Sequence, residues 1–307
     1  GTSDFAVPSL RSLLDDEEFE VVAVVTQPDR KAGRGQMLTS SPIKQTAEQY
    51  DIPIYQPESI SKIKRELADQ QPDIMVVVAY AQKIPQEILD IPQYGVLNVH
   101  GSLLPAYRGA SCIQAPILNG DSRTGVTIMK MDTGLDTGDI LTQKEMELSK
   151  EDTAPTVHDE LARLGGDILP NTIKEYIRGD IQSTPQEGSQ ASYAKALKKE
   201  DGRIDWNEPA ERIERMVRAL NPWPGTYSYI DHSGKKGIIK IKEVSPQIME
   251  INEYPTGTLF MDRQEKLGVQ CGKNALEIKT IQPEGKKPMT GEEFVRGHKD
   301  LIGRPLE

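Results

Sequence analysis

Residues 1–200 alternate short apolar runs with helical patterns, and few folds can be built from such an alternation. The apolar runs are rich in β-branched residues, and Pro, Gly or Asp bounds each of them, which is typical of buried strands. Residues 21–26, 74–80, 95–100 and 126–131 are the predicted strands. Strands separated by helices form a mostly parallel sheet with helices on its faces, so the pattern predicts an α/β fold.

Helix signals lie between these runs. Ser41 and Pro42 suit the N-cap and the first position of a helix, and a charged helix is predicted over residues 58–69. Apolar residues at helical spacing predict a longer helix over residues 157–177. Gly165, Gly166 and Pro170 are expected to break or kink that helix.

The architecture changes near residue 200. Residues 182–200 are polar, small and charged, which is typical of a linker. A helix is then predicted over residues 209–220, followed by short strands at 237–244, 257–261, 268–271 and 276–281. Short strands with turn residues at this density favour a small closed barrel. We therefore expect a catalytic sheet domain over residues 1–181, a linker over 182–200 and a barrel domain over 201–307.

Composition excludes several classes of protein. Apolar residues make up 36% of the 307 residues and charged residues 27%, which is ordinary for a globular chain. No stretch approaches the roughly 20 apolar residues that a membrane span needs, so we expect no membrane partner. The two cysteines, Cys112 and Cys271, lie far apart, and the default expectation is a reducing cytoplasm.

The net charge of −10 by itself argues against a large nucleic-acid partner. The charge is unevenly distributed, however. Residues 201–307 contain 17 basic and 17 acidic residues, so residues 1–200 carry the whole excess. Lysines of the linker and barrel are clustered, and either a basic track or an ordinary solvated surface accounts for them.

Residues 95–139 carry the chemistry. Strand alternation places Asn98 and His100 on one face, at the carboxyl end of a strand, which is where ligands bind in open α/β sheets. The strand at 126–131 leads into a glycine-rich acidic loop that contains Asp136. Each residue alone has a structural explanation, as a strand-end, turn or loop residue. Together they supply a hydrogen-bond donor, an acid/base and a group to orient it.

Covalent and metal chemistry fit the sequence less well. Ser102 lies in a strand-end turn and Cys112 in an apolar helical run, so neither has the surroundings of a nucleophile. The remaining histidines are scattered without ligand spacing, and we expect no metal. Direct group transfer is the chemistry that the segment favours.

The run NVHGSLLPAYRGA at residues 98–110, followed by LDTGD at 135–139, resembles the folate-dependent formyltransferases. The resemblance implies that Asn98, His100 and Asp136 form the catalytic trio. It also implies that Ser102, Leu103, Leu104 and Pro105 form a turn that binds the folate. A Rossmann-like first domain and a barrel related to the OB fold are expected on the same basis.

Three further segments narrow the resemblance: TQPDRKAGRG at 26–35, NPWPG at 221–225 and QPEGKKPM at 282–289. All three are similar to the methionyl-tRNA formyltransferase family. That family implies 10-formyltetrahydrofolate as co-substrate, initiator methionyl-tRNA as partner and Arg34 as a tRNA contact, and we expect a monomer. Two alternatives stay open, a formyltransferase for a small amine and a module that only binds nucleotides or tRNA.

Overall fold

The computed structural model describes residues 1–32, 37–232 and 235–307. These residues form two compact units. The first comprises Gly1–Ile113, Arg123–Glu147 and Pro155–Ala194, and the second comprises Gln114–Ser122, Leu148–Ala154 and Lys195–Glu307. The domain boundaries expected at residues 181 and 200 stay predictions.

The helices and strands follow one another along both units. The α-helices are α1 (Val7–Leu14), α2 (Pro42–Gln49), α3 (Lys64–Asp69), α4 (Gln86–Leu89), α5 (Gln114–Asn119), α6 (Ala154–Arg178), α7 (Ala210–Leu220) and α8 (Gly291–Gly297). The strands are β1 (Val24–Val25), β2 (Arg30–Ala32), β3 (Met37–Thr39), β4 (Ile54–Tyr55), β5 (Met75–Val77), β6 (Val96–His100), β7 (Arg123–Lys130), β8 (Ile140–Glu147), β9 (Thr226–His232), β10 (Lys235–Val244), β11 (Leu259–Met261), β12 (Leu267–Gln270), β13 (Ala275–Pro283) and β14 (Met289–Thr290). None of the helices in the described ranges has the length and apolar character that a bilayer crossing requires.

The first unit contains a four-stranded sheet in the order β5-β6-β7-β8, and a separate parallel pair, β1 with β4. β5 and β6 are parallel, whereas β7 and β8 join the sheet antiparallel. The predicted α/β class is confirmed. β8 had no counterpart among the predicted strands, because its side chains are half-buried or exposed and it lacks an apolar run.

β6 is the strand that positions the candidate site. All five of its residues are buried, as expected for a central strand with covered faces. The register pairs Val77 of β5 with Asn98 of β6, so the carboxyl ends of these two parallel strands lie at the same edge of the sheet. Residues that follow β5 and β6 therefore lie close together.

The long helix was predicted to break or kink at Gly165, Gly166 and Pro170. It does not break there, and a kink stays a prediction. α6 runs without interruption through Gly165, Gly166 and Pro170. The two glycines allow close packing. A Cβ atom at Gly165 would lie 2.7 Å from the Cγ1 atom of Val99 in β6, and one at Gly166 would lie 2.9 Å from the backbone of Pro8. Packing of the helix on the sheet outweighs the weak helix propensity of glycine.

Local helix signals before the sheet are borne out. Ser41 caps α2, since its side chain accepts a hydrogen bond of 3.2 Å from the backbone N–H of Lys44. The charged segment predicted as a helix over residues 58–69 forms a 3-10 turn at Ile60–Ile63 followed by α3.

The second unit is built on an antiparallel sheet in the order β11-β12-β13-β10-β9, with β14 added to β13. Residues 303–307 join the two ends of this sheet. Leu306 forms a bridge with Ile230 of β9, while Pro305 forms one with Thr258 beside β11. The predicted helix at 209–220 corresponds to α7. A second helix, α8, was not predicted, although Thr290 and Glu293 form the capping box that marks its start.

Candidate active site

Asn98 and His100 lie on one face of β6, as the alternation predicted. Both side chains are largely buried, with exposed fractions of 9% and 7%. They line the same cavity, of about 570 Å³, which falls in the size range of small-molecule sites. The cavity lies wholly within the first unit, at the edge of the sheet where β5 and β6 end.

Asp136 reaches this cavity from the loop between β7 and β8. The Asp132 carboxylate holds the loop in shape, because its Oδ1 atom accepts hydrogen bonds from the Gly134 N–H at 2.9 Å and the Thr137 hydroxyl at 2.7 Å. Asp136 itself has a φ of +52°, in the left-handed region. Non-glycine residues in that region are uncommon and concentrate at functional sites.

The Asp136 carboxylate has two neighbours in the site. Its Oδ2 atom accepts a hydrogen bond of 2.7 Å from the backbone N–H of Gly109, and it lies 3.8 Å from Nδ1 of His100. Gly109 has a φ of +111°, and a Cβ atom there would lie 2.6 Å from the Ala194 carbonyl oxygen. Only glycine allows the backbone N–H to approach Asp136 in this way.

The surroundings of His100 favour its charged form. Nε2 lies 3.1 Å from the Tyr107 carbonyl oxygen, and a carbonyl can only accept, so Nε2 carries a proton. In neutral His100 the lone pair of Nδ1 would therefore lie close to the Asp136 carboxylate. Burial alone lowers the pKa of His100, but Cys112, Asp136 and the Tyr107 carbonyl raise it to about 9. His100 is thus protonated at neutral pH, with Cys112 and Asp136 beside it.

Several residues of the cavity were missed from the sequence. Ala79, Tyr80, Ala81 and Gln82 follow β5 and line the cavity, and Ala79 and Ala81 both have positive φ. The strand-end argument that identified Asn98 and His100 would have found them had it been applied to the neighbouring parallel strand. Apolar side chains, including Ile84, Val99 and Ile113, form another part of the wall.

Cys112 was placed in an apolar helical run, and that prediction is wrong. α5 begins at Gln114, and Cys112 lies in the turn before it. Its side chain lines the cavity and interacts with His100. The signal for a helix was the apolar pattern, which already begins at Cys112, two residues before α5 starts.

The turn predicted to bind folate lies beside the cavity. Thr127 holds it: the Oγ1 atom donates to the Ser102 carbonyl at 2.6 Å and accepts from the Leu104 N–H at 3.1 Å. Among the described residues that line the 570 Å³ cavity, Ser102, Leu103, Leu104 and Pro105 do not occur. Their role in folate binding stays a prediction. Arg34 lies outside the described residues.

Comparison with known proteins agrees with this fold. The formyl transferase family matches residues 1–173, and the C-terminal domain of formyl transferases matches residues 196–299. The chain therefore belongs to the formyl transferase family.

Two relatives within that family match nearly the whole chain. A methionyl-tRNA formyltransferase from Caldanaerobacter subterraneus subsp. tengcongensis is 43% identical over 301 residues, which are 97% of this chain and 95% of the relative. A methionyl-tRNA formyltransferase from Desulfotalea psychrophila is 44% identical over 301 residues, covering 97% and 91% of the two chains.

Solved structures share the fold at lower identity. An N-formyltransferase from Helicobacter canadensis, solved with folinic acid and dTDP-3-aminofucose, has a TM-score of 0.65 and 21% identity and covers 91% of this chain and 97% of its own. HypX from Aquifex aeolicus with tetrahydrofolic acid has a TM-score of 0.60 and 17% identity, over 91% of this chain and 47% of its own. At these identities the likeness concerns the fold alone.

Proposed function

We propose that this chain transfers the formyl group of 10-formyltetrahydrofolate to the free α-amine of methionyl initiator tRNA, giving N-formylmethionyl-tRNA. One observation carries the proposal: Asn98, His100 and Asp136 line one cavity in a chain that is 43% identical, over 97% of its length, to a methionyl-tRNA formyltransferase. In the cell, the reaction would take place in the cytoplasm, with the protein acting as a monomer.

Charge develops on the formyl oxygen when the amine nitrogen attacks the formyl carbon. The Asn98 amide and the His100 imidazolium are the donors that would stabilise it. Both are held on the rigid central strand, so little reorganisation accompanies the reaction. The raised pKa of His100, about 9, keeps the imidazolium protonated at neutral pH.

Asp136 would receive the proton that the amine loses, directly or through a water molecule. Its Oδ2 atom is held in the site by the Gly109 N–H at 2.7 Å and lies 3.8 Å from Nδ1 of His100. The oxyanion then collapses to a carbonyl as the bond between the formyl carbon and the folate nitrogen breaks, and that nitrogen leaves with the proton that Asp136 received from the amine. No covalent bond to the protein forms in this sequence of steps.

The cavity suits a flat, partly apolar donor molecule. Its volume of about 570 Å³ and its apolar wall match the usual lining of small-molecule sites, with the polar groups placed at the reacting end. The turn at Ser102, Leu103, Leu104 and Pro105 would contribute to folate binding from beside the cavity, and Arg34 would contact the tRNA.

A formylation assay tests the proposal. Purified protein with 10-formyltetrahydrofolate would be given charged initiator methionyl-tRNA, methionine, glycinamide ribonucleotide or an amino-sugar nucleotide, and formylated products would be measured by mass spectrometry. We expect formylmethionine from the charged tRNA alone. Faster formylation of a small amine would favour the alternative formyltransferase, and no formylation of any substrate would overturn the enzymatic proposal.

A further inference from the structure

Residues 183–194, which lie in the segment predicted as a linker, make ordered contacts inside the first unit. At one end, Thr184 and Ile140 exchange two backbone hydrogen bonds of 2.8 Å, and the Ser183 hydroxyl donates to Asp139 at 3.0 Å. Asp139 and Ile140 directly follow the loop that carries Asp136. This end of the segment therefore pairs with the base of the Asp136 loop.

The other end of the same segment pairs with the residues around Arg108. The Arg108 N–H donates to the Ser192 carbonyl at 2.9 Å, and the Ala194 N–H donates to the Arg108 carbonyl at 2.8 Å. Tyr107, whose carbonyl meets His100, donates its N–H to the Ser192 hydroxyl at 2.9 Å. Residues 183–194 thus connect the loop that contains Tyr107, the residue whose carbonyl meets His100, with the loop that carries Asp136.

Gln186 makes the most direct of these connections. Its Nε2 atom donates to the carbonyl oxygen of Asp136 at 2.9 Å and to that of Gly138 at 2.7 Å. Its Oε1 atom accepts from Nη2 and Nε of Arg108 at 2.8 Å and 3.0 Å. Arg108 is 6% exposed, so its guanidinium is a fixed anchor rather than a solvated side chain.

We propose that Gln186, anchored by Arg108, is a positioning residue that holds the Asp136 carboxylate in its reactive geometry. The inference rests on the proposed function, since it assigns Asp136 a part in catalysis. Two hydrogen bonds to the carbonyls of residues 136 and 138 hold the loop where Asp136 has its left-handed backbone. Without them, the backbone can relax toward a commoner conformation, and the carboxylate moves away from His100 and Gly109.

The chemistry of the amide explains why a glutamine stands here. One end must accept from a guanidinium while the other donates to two carbonyls, and only an amide does both. Glutamate has almost the same shape and still pairs with Arg108, but it places an anionic oxygen against the two carbonyl oxygens. Gln186→Glu therefore removes the contact to the Asp136 loop while retaining the anchor.

Gln186→Glu and Gln186→Leu should lower kcat about 10- to 100-fold, since displacement of a reacting group by about 1 Å costs on the order of 10²-fold. The KM for 10-formyltetrahydrofolate should change little. In the pH profile of kcat, the alkaline limb is the range in which kcat falls as His100 loses its proton. This limb should move to lower pH, because the His100 imidazolium becomes a stronger acid when it loses its carboxylate partner. Loss of stability alone would not move that limb.

Gln190 offers a matched control in the same segment. It is exposed, and its amide contacts Glu187 at 2.7 Å within the segment. Gln190→Leu should retain the wild-type kcat, KM and alkaline limb. Asp136→Asn, measured in parallel, separates the catalytic role proposed for Asp136 from the positioning role proposed for Gln186. If Asp136→Asn retains activity, the proposed role of Asp136 fails.

The inference is overturned if Asp136→Asn is inactive while both Gln186 variants keep the wild-type kcat. It is also overturned if kcat falls in both variants without movement of the alkaline limb, since Gln186 would then be structural. Should Gln186→Leu fail to fold, the near-isosteric Gln186→Glu decides the matter, and its failure to fold as well would assign Gln186 to stability rather than to positioning.

Discussion

Nδ1 of His100 lies 3.8 Å from Oδ2 of Asp136, while Nε2 of the same ring is committed to the Tyr107 carbonyl at 3.1 Å. The Tyr107 carbonyl holds the ring through Nε2, and a protonated Nδ1 places positive charge beside the Asp136 carboxylate at a distance too long for a hydrogen bond. Cys112, Asp136 and the Tyr107 carbonyl together raise the pKa of this buried histidine and keep it charged.

Replacing either His100 or Asp136 should abolish turnover while leaving folate binding intact. We expect His100→Ala and Asp136→Asn to lower kcat by at least about 10²-fold, the usual effect of losing a general acid/base or an oxyanion donor. Tetrahydrofolate binding should survive, because most of the cavity wall is apolar or backbone. Single-turnover rates and calorimetric titration would measure the two effects. A variant that retained more than about a tenth of the wild-type rate would show that its residue has been assigned the wrong role.

The rate should depend on the protonation of His100. Although burial lowers its pKa, Cys112, Asp136 and the Tyr107 carbonyl raise the pKa of His100 to about 9, so kcat should fall as pH rises through about 9. Cys112→Ala removes one of the raising contacts and should move this limb to lower pH. A pH profile of kcat at saturating substrate would measure it. A wild-type limb near the ordinary value for histidine, about 6.5, would contradict the prediction.

The same shift links stability to pH. A folded-state pKa above the unfolded value means that protonated His100 stabilises the fold fully below pH about 6.5. That contribution is lost as pH rises through about 9. The Tm of wild type should therefore fall more steeply than that of His100→Gln between pH 7 and 10. Parallel curves for the two proteins would show that His100 titrates alike in the folded and unfolded states.

The two cysteines should differ sharply in reactivity. Cys112 lines the 570 Å³ cavity, whereas Cys271 is 2% exposed, and burial followed by the charge of Glu211 raises its pKa to about 12. Iodoacetamide at pH 8 should therefore label Cys112 and inactivate the protein, with Cys271 unlabelled. Tetrahydrofolate should slow the labelling, as peptide mass mapping would show. If the Cys112→Ser variant were still inactivated at the wild-type rate, the inactivation would come from modification of another residue.

Arg34 is predicted to distinguish the tRNA substrate from small amines. It lies between Gly33 and Gly35, and in the resemblance to methionyl-tRNA formyltransferases it contacts the acceptor end of the tRNA. Arg34→Ala should lower kcat/KM for charged tRNA strongly and leave tetrahydrofolate binding unchanged. Arg34→Lys should restore only part of the loss, because lysine keeps the charge but lacks the planar fork of donors. If Arg34→Ala had wild-type kinetics with charged tRNA, Arg34 would have no part in tRNA recognition.

Much of the fold follows from local pattern. The apolar run at 95–100 becomes β6, Ser41 caps α2, and the amphipathic pattern after residue 209 becomes α7, since period and capping chemistry are properties of neighbouring residues. The elements that pattern missed have other causes. β8 is an edge strand with exposed side chains, and α6 continues through two glycines because it packs closely against β6.

For the candidate site, the sequence by itself determined which residues could do chemistry. Asn98 and His100 share a strand face because side chains alternate along any strand, and Asp136 lies in a glycine-rich loop that can turn tightly. Tertiary structure decided how these groups meet. The 3.8 Å approach of Asp136 to His100, the access of Cys112 to the cavity and the bonds from Gln186 to the Asp136 loop all join residues distant in sequence. Such contacts depend on how the loops pack against one another, and no local periodicity encodes that packing.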